Sequence, residues 1–474
     1  MYTPATSRRL LSSLSAAALG LALAACSGDG GPAPAAAPAP VAPDPDAIAF
    51  VGVNVVPMDS EQVLEGHTVV VQDGRIASVA ADDSLVPEGA QVIAGEGRWL
   101  MPGLAEMHGH VPGPDDPDYA ENVLYLYVSN GVTTVRNMAG HEYHLELRDR
   151  VAAGELMGPT LHAASPWLTP DSAGTPEAAA QAVRDYQSAG FDLLKLGTID
   201  AASYAAMAET AHEVGMPFGG HIPAEVGLAA ALDARQTSID HYDRYTEFLV
   251  PGDADTGDLD PGFFGSGWVH LVDRERIPEA IERTLAAGTW NVPTLSLVEH
   301  LASDTPAEEM IAWPEMRYMP QQVREGWVRS KHQFQAREDF QPEAAQALVE
   351  LRQELTRALH AAGAPIALGS DAPQFFNVPG FSIHHELRMM VATGLTPYEV
   401  LATGTREPAR YFGTPDAFGT IEPGRRADLI LLEANPLDDV ANVQRRAGVM
   451  VRGQWLPEEQ IQARLDAIAE AVAE

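Results

Sequence analysis

One cysteine, Cys26, stands among the 474 residues. A lone thiol excludes an intramolecular disulfide framework and any cysteine-based metal site. Lysine is almost as rare. The chain has only Lys195 and Lys331, so arginine supplies the other 28 of its 30 basic side chains. Positive charge as a whole is short: 66 acidic residues leave a formal net charge of −36 and a pI near 4.6. Such a chain repels phosphate backbones, which argues against nucleic acid as a partner. The acidity bears on solubility and says nothing of the fold. After the first 26 residues, no stretch has the long uncharged run that a membrane span needs.

What is present begins with an address. Arg8 and Arg9 precede the apolar run "LLSSLSAAALGLALAA", which ends in Leu23-Ala24-Ala25-Cys26. This reads as a bacterial lipoprotein signal over residues 1–26, with Cys26 lipidated after cleavage. The expectation is an exported chain, lipid-anchored in the envelope at the outer membrane and facing the periplasm. Ser27 in place of aspartate carries no inner-membrane retention signal. Residues 27–46 form a Pro/Ala-rich tether.

Residues 47–100 read as strands bounded by Gly, Asp and Pro, and "VQDGRI" reads as a hairpin turning at Asp73-Gly74. Strand signals return within 414–456, in "ADLILLEANP" and "GVMVRGQWL". Strands at both ends predict a small β-sandwich domain built from both termini, followed by a C-terminal helix over 457–474. Between them, 101–413 alternates strand and helix. Eight strand candidates run from "LMPGLAEMH" through "GVTTVRNM", "PTLHAAS", "DLLKLG", "PFGGHI", "TSIDHY" and "NVPTLSL" to "PIALGSD". This alternation predicts an α/β fold with a (β/α)8 TIM barrel. A doubly wound sheet is the alternative. The segment 300–345 is too long for one crossover, and its Trp313, Tyr318 and Trp327 fit a lid, a contact in a homo-oligomer, or plain helix packing.

In a barrel, chemistry gathers at the C-terminal ends of strands. His108 and His110 end the first predicted strand, two residues apart and so on one side. Lys195 ends the fourth, His221 the fifth, His241 the sixth and Asp371 the eighth. Each alone has an ordinary reading: a loop histidine, a helix cap, a snorkelling lysine. Together, in strand order, they read as a metal site. His67, His144, His212, His270, His300, His332 and His360 lie in helical or polar surroundings and read as solvated. Lys195 sits in the apolar run "GFDLLKLGTI", where burial lowers an amine's pKa. A neutral amine can add carbon dioxide and become a carbamate, an anion able to bridge two metals. A guanidinium is too basic for that reaction.

The segments "MPGLAEMHGHV", "GVTTVRNM", "LLKLG", "GGHIP", "SIDHY" and "LGSDAP", with "GLTPYEVLATGTREPARYFG" and "GTIEPGRRADLILLEANP", resemble the metal-dependent amidohydrolase superfamily. Within it the chain is most similar to the imidazolonepropionase-related branch that includes prolidase-like dipeptidases. The resemblance implies that His108, His110 and Asp371 hold one divalent ion and His221 and His241 a second. Carboxylated Lys195 would bridge them, with zinc as the default ion. A metal-bridging hydroxide would attack a carbonyl, and Asp371 would carry the proton to the leaving amine as general base and then acid. Tyr242 and Arg136 are candidate substrate contacts, Arg136 equally a structural ion pair.

Two departures matter. Imidazolonepropionases proper use one metal and lack the strand-four lysine, so Lys195 argues against their reaction. The loop after strand three, "ASPWLTPDSAGTPEA", has no histidine where prolidase-like members often carry one. Asn137 stands where an aspartate is usual. The implied function is a binuclear hydrolase cleaving a C–N amide bond of a small molecule, of the dipeptide or N-acyl amino acid type. Lactone, ester or cyclic-amide hydrolysis is the alternative, and a binding lipoprotein without catalysis the remaining one.

Overall fold

The computed structural model describes residues 42–257, 260–338 and 340–473. The expected signal, lipidated Cys26 and most of the tether lie outside the described residues. Among those described, no helix is long and apolar enough to cross a membrane.

Strands from the two ends of the chain pair into one eight-stranded sheet. Its order is Gln454–Pro457, Arg446–Val451, Leu429–Leu432, Trp99–Pro102, Ile48–Val55, Leu64–Gln72 and Arg75–Ala80, with Gln91–Ala94 also pairing to Ile48–Val55. Alternate residues of a strand share a face. Accordingly Val53 and Val55, Val69 and Val71, and Leu429 and Leu431 bury together with Phe50 and Met450 in one apolar cluster. Asp73 and Gly74 both have positive φ, 49° and 72°, as a two-residue hairpin turn requires. A side chain at Gly74 would also meet the Arg452 carbonyl at 2.9 Å. The sequence predicts a sandwich; among the described residues these strands form a single continuous sheet.

Between these strands lie seven shorter parallel ones, in two ladders rather than one. Leu104–Gly109, Val132–Asn137 and Thr160–Ala163 make a three-stranded sheet. Leu194–Leu196, Phe218–Gly220, Ser238–Asp240 and Trp290–Val292 make a four-stranded sheet. Both follow sequence order. Isolated parallel bridges Ala164–Leu193 and Leu168–Leu196 run between the two. The predicted eighth strand is not a regular strand. Its contacts are bridges from Ile366 to Asn291 and from Ala372 to Gly109. The reason is local: Ser370 N–H donates to the Glu106 carboxylate, and Asp371 turns to φ 64°. The Ser370 N–H is thereby lost to the ladder, while Asp371 N–H still donates to the His108 carbonyl at 2.9 Å.

The helices between strands form where their ends are capped. The Thr175 hydroxyl accepts from Ala178 N–H to start Pro176–Ala189, and Asp200 accepts from Ala202 and Ser203 N–H to start Ala201–Val214. In the 300–345 excursion, Trp327 packs with Met310, Met316, Met319, Phe376 and Val378, and Tyr318 is also buried. Two histidines expected to be solvated are buried instead. His144 is held by Asn137 Nδ2 at 2.9 Å and the Pro112 carbonyl at 3.0 Å, and His300 by the Phe375 carbonyl at 3.2 Å.

Candidate metal centre

The six residues expected at strand ends converge. His108 lies in the first parallel strand and Lys195 in the fourth; His221 and His241 directly follow the fifth and sixth. His110 Nε2 lies 2.8 Å from Asp371 Oδ1, and His108 Nε2 lies 3.7 Å from the same oxygen. The Lys195 amine lies 3.2 Å from His108 Nε2. The His108 and His241 ring centroids are 4.5 Å apart, and those of His241 and His221 are 5.0 Å apart.

Three of the imidazoles are oriented by oxygen. His108 Nδ1–H donates to Asp240 Oδ2 at 2.7 Å. His221 Nδ1–H donates to Asp243 Oδ2 at 3.2 Å. The Thr294 hydroxyl spends its hydrogen on the Pro293 carbonyl at 2.8 Å. It must therefore accept from His241 Nδ1–H, also at 2.8 Å. In His108 and His241 this leaves the lone pair on Nε2. Burial, then neighbouring positive charge, holds His108 and His241 well below the ordinary imidazole range, so both are neutral. Oxygen-bonded Nδ1–H with a neutral Nε2 is the arrangement metal-binding histidines adopt.

The donors fit a divalent cation. One ligand atom each from His108, His110 and Asp371 lies within 4.8 Å of the others. His110 Nε2 is buried beside Asp371 but is not aligned to hydrogen-bond with it. Two bases that approach without a shared proton suit a cation between them.

Lys195 is fully buried, and burial lowers its amine to about 8, against the pull of Asp240 and Asp371. Room for its stem depends on Gly220. A Cβ there would lie 3.1 Å from Lys195 Cδ and 3.2 Å from Nζ, on a backbone with φ 101°. Gly220→Ala is expected to cost about 1–3 kcal/mol from backbone strain alone. It should also press the amine toward His108. A lowered Tm together with reduced activity in the purified variant would bear this out; an unchanged Tm would count against it.

The second layer of contacts was not anticipated from sequence. Asp240, Asp243 and Thr294 orient the histidines. Glu106 is fully buried and joins His108 N–H at 2.9 Å to Ser370 N–H at 2.8 Å. Arg352 donates to the carbonyls of His241 and Pro293, and Glu386 accepts from Leu295 and Ser296 N–H at 2.8 Å each. An acid within two residues of His241 was the only available signal for Asp240 and Asp243. Asn137 now has an account: its Oδ1 accepts from Val111 N–H at 2.9 Å, pinning the chain just after His110.

The structure engages the two candidate substrate contacts elsewhere. Arg136 is completely buried; it donates to the Met107 carbonyl, Ser238 Oγ, Tyr411 Oη and Asp240 Oδ2. Four of its five N–H groups are engaged and none of the side chain is exposed, so its role is the structural ion pair. Tyr242 is buried, and its hydroxyl donates to Thr356 Oγ1 at 2.9 Å.

Comparisons with known proteins bear on the fold and the family. Ochratoxinase from Aspergillus niger is 24% identical over 432 residues, spanning 83% of this chain and 83% of that protein. A crystal structure from Bifidobacterium longum, provisionally classed as a prolidase, is 25% identical with a TM-score of 0.66, covering 90% of this chain and 99% of the other. Bottromycin amidohydrolase superposes with a TM-score of 0.68 at 22% identity, covering 90% and 91%. Residues 99–456 match the profile of the Amidohydrolase family. That match spans most of the chain, strand-end histidines included, and the chain belongs to the amidohydrolase family.

Proposed function

We propose that this chain is a binuclear metal-dependent hydrolase that cleaves a C–N amide bond in a small molecule, of the dipeptide or N-acyl amino acid type. The observation that carries the reading is the meeting of His108, His110 and Asp371, whose ligand atoms lie within 4.8 Å of one another, with the Lys195 amine and the His241 and His221 rings beside them. His108, His110 and Asp371 would hold one ion, and His221 and His241 a second, with zinc the natural choice for nitrogen-rich donors. Such ions, when bound, supply Lewis acidity toward the scissile carbonyl. Asp371 is the proton carrier: its carboxylate takes a proton from the attacking water and delivers it to the leaving amine. Gln374 Nε2–H donates to Asp371 Oδ1 at 2.5 Å, which aims the other oxygen, Oδ2, at the reacting groups.

Lys195 is read as a carbamate. Its amine nitrogen adds to carbon dioxide and loses a proton, and an amine near 8 is partly neutral at physiological pH. The parallel strands and the 365–371 segment are read as a (β/α)8 barrel, supported by the bridges on both flanks of that segment. Lipid anchoring at Cys26 completes the proposal as an envelope enzyme.

Metal analysis and a substrate screen test it. The native chain is expected to retain about two equivalents of zinc and to hydrolyse members of an amide and dipeptide library, with lactones screened alongside. Lys195→Ala is expected to retain less metal and little activity. Full metal and full activity in Lys195→Ala would overturn the carbamate. A metal-free native protein would overturn the metal-site reading, and a metal-loaded one active only on lactones would overturn amide hydrolysis.

A further inference from the structure

The site is most open to solvent at His221. Its side chain is 30% exposed, against 18% for His110 and 1% for His108 and His241. Two aromatic rings from different loops stand beside it. Trp167, in the loop after Thr160–Ala163, has its ring 5.7 Å from His221 and 5.2 Å from the Lys195 amine. It is 43% exposed; the other large apolar side chains exposed among the described residues are Val92 and Leu285, and neither has a ring contact at this centre. Phe264 lies 6.4 Å from His221 with the rings nearly parallel, at 17°, and 5.4 Å from His241.

Phe264 is held there against a backbone penalty. Its φ is 49°, a region that bulky residues avoid at about 1–2 kcal/mol. The neighbouring Gly265 has φ 83°, and a Cβ on it would strike Thr246 at 2.4 Å, so only glycine fits beside Phe264. The Thr246 hydroxyl donates to the Phe264 carbonyl at 3.1 Å. Phe263 backs the ring at 4.6 Å. A strained aromatic residue, braced from behind and turned to the exposed edge of a catalytic cluster, is an arrangement found where ligands bind.

We propose that Trp167 and Phe264 are the walls of a substrate subsite beside His221, and that it takes a flat apolar group, an aromatic side chain next to the scissile amide. The inference rests on the amide-hydrolase reading and narrows it to N-acyl aromatic amino acids and dipeptides carrying an aromatic residue. Trp167 supplies an accessible π face above the site. Phe264 supplies a second, fixed in position before the ligand arrives. Stacking of this kind discriminates an aromatic from an aliphatic group by geometry as well as by area.

The test uses the zinc-loaded full chain with N-acetylphenylalanine and N-acetylleucine, and with Gly-Phe and Gly-Leu. The native chain is expected to favour the aromatic member of each pair in kcat/KM. Trp167→Leu keeps apolar bulk and loses the ring; it should lower kcat/KM for the aromatic members roughly tenfold, through KM, and leave the aliphatic ones within about threefold. Phe264→Leu should act in the same direction. Equal losses on both series, or no aromatic preference in the native chain, would overturn the subsite. If neither series is hydrolysed, the amide reading fails, yet the subsite is still decided by binding. N-acetylphenylalanine should quench tryptophan fluorescence in the native holoprotein and not in Trp167→Leu, and an identical or absent response in both would refute it.

Discussion

Asp371→Asn is expected to lower kcat by about a thousandfold while leaving the fold intact. Asparagine matches aspartate in shape and is, with aspartate, among the few residues at ease in the left-handed region. That matters because Asp371 sits at φ 64°. Its amide can still turn an oxygen toward Gln374, preserving the contact that Gln374 Nε2 makes at 2.5 Å. What the substitution removes is the basic oxygen that carries the proton and the negative charge facing His110 and His241. Steady-state kinetics beside thermal unfolding separate the two effects. A variant with native Tm and activity down by two to four orders of magnitude fits the proton-carrier role. A loss of less than about tenfold would remove Asp371 from it.

The second large effect falls on stability. Arg136 and Asp240 are both fully buried, joined at 2.8 Å. Burial disfavours both charges. Asp240 nevertheless holds Arg136 well above its ordinary range, and Arg136 in turn keeps the Asp240 carboxyl below the usual carboxylate range. Removing one partner leaves the other charged and uncompensated in the interior. Arg136→Met is therefore expected to cost about 3–5 kcal/mol in denaturant unfolding. Asp240→Leu should cost a similar amount and also free His108 Nδ1, whose acceptor is Asp240 Oδ2 at 2.7 Å. The double variant, Arg136→Met with Asp240→Leu, should recover much of the lost stability, because no orphaned charge remains. Activity should not return with it, because His108 still lacks its acceptor. Additive losses in the cycle would show that the pair is not coupled.

The contrast between these two predictions marks what could be read from sequence. Asp371 was legible because its chemistry lies in its position: an acid at the end of an apolar strand segment, in order with histidines at other strand ends. The Asp73-Gly74 hairpin was legible for a similar reason, since its turn closes between neighbouring residues. Asp240 and Thr294 were not, because each acts on a ring far away in sequence, 132 residues in one case and 53 in the other. Arg136 showed as a basic residue at a strand end, and nothing local distinguishes a guanidinium facing solvent from one enclosed by partners in the interior. His144 and His300 misled for the converse reason. A histidine adds little to a helical hydrophobic pattern, so its inward position is invisible until the neighbouring strand is in place. The barrel expectation met a local limit too, because the strand pattern of "PIALGSD" does not reveal that Glu106 takes Ser370 N–H from the ladder.

Both lysines of this chain are fully buried. Lys331 Nζ donates to the His300 carbonyl at 2.6 Å and the Ser303 carbonyl at 3.1 Å, and Lys195 stands inside the candidate metal centre. The folded protein therefore offers acylating reagents and lysine-specific proteases no side-chain amine. Each becomes a reporter of opening, and the two report different events. Lys331 lies in the helix Gln321–Gln335, outside the parallel strands, and Lys195 in Leu194–Leu196, within them. Cleavage at Lys331 alone marks the helical excursion lifting away from an intact core. Cleavage at Lys195 marks the parallel sheet coming apart.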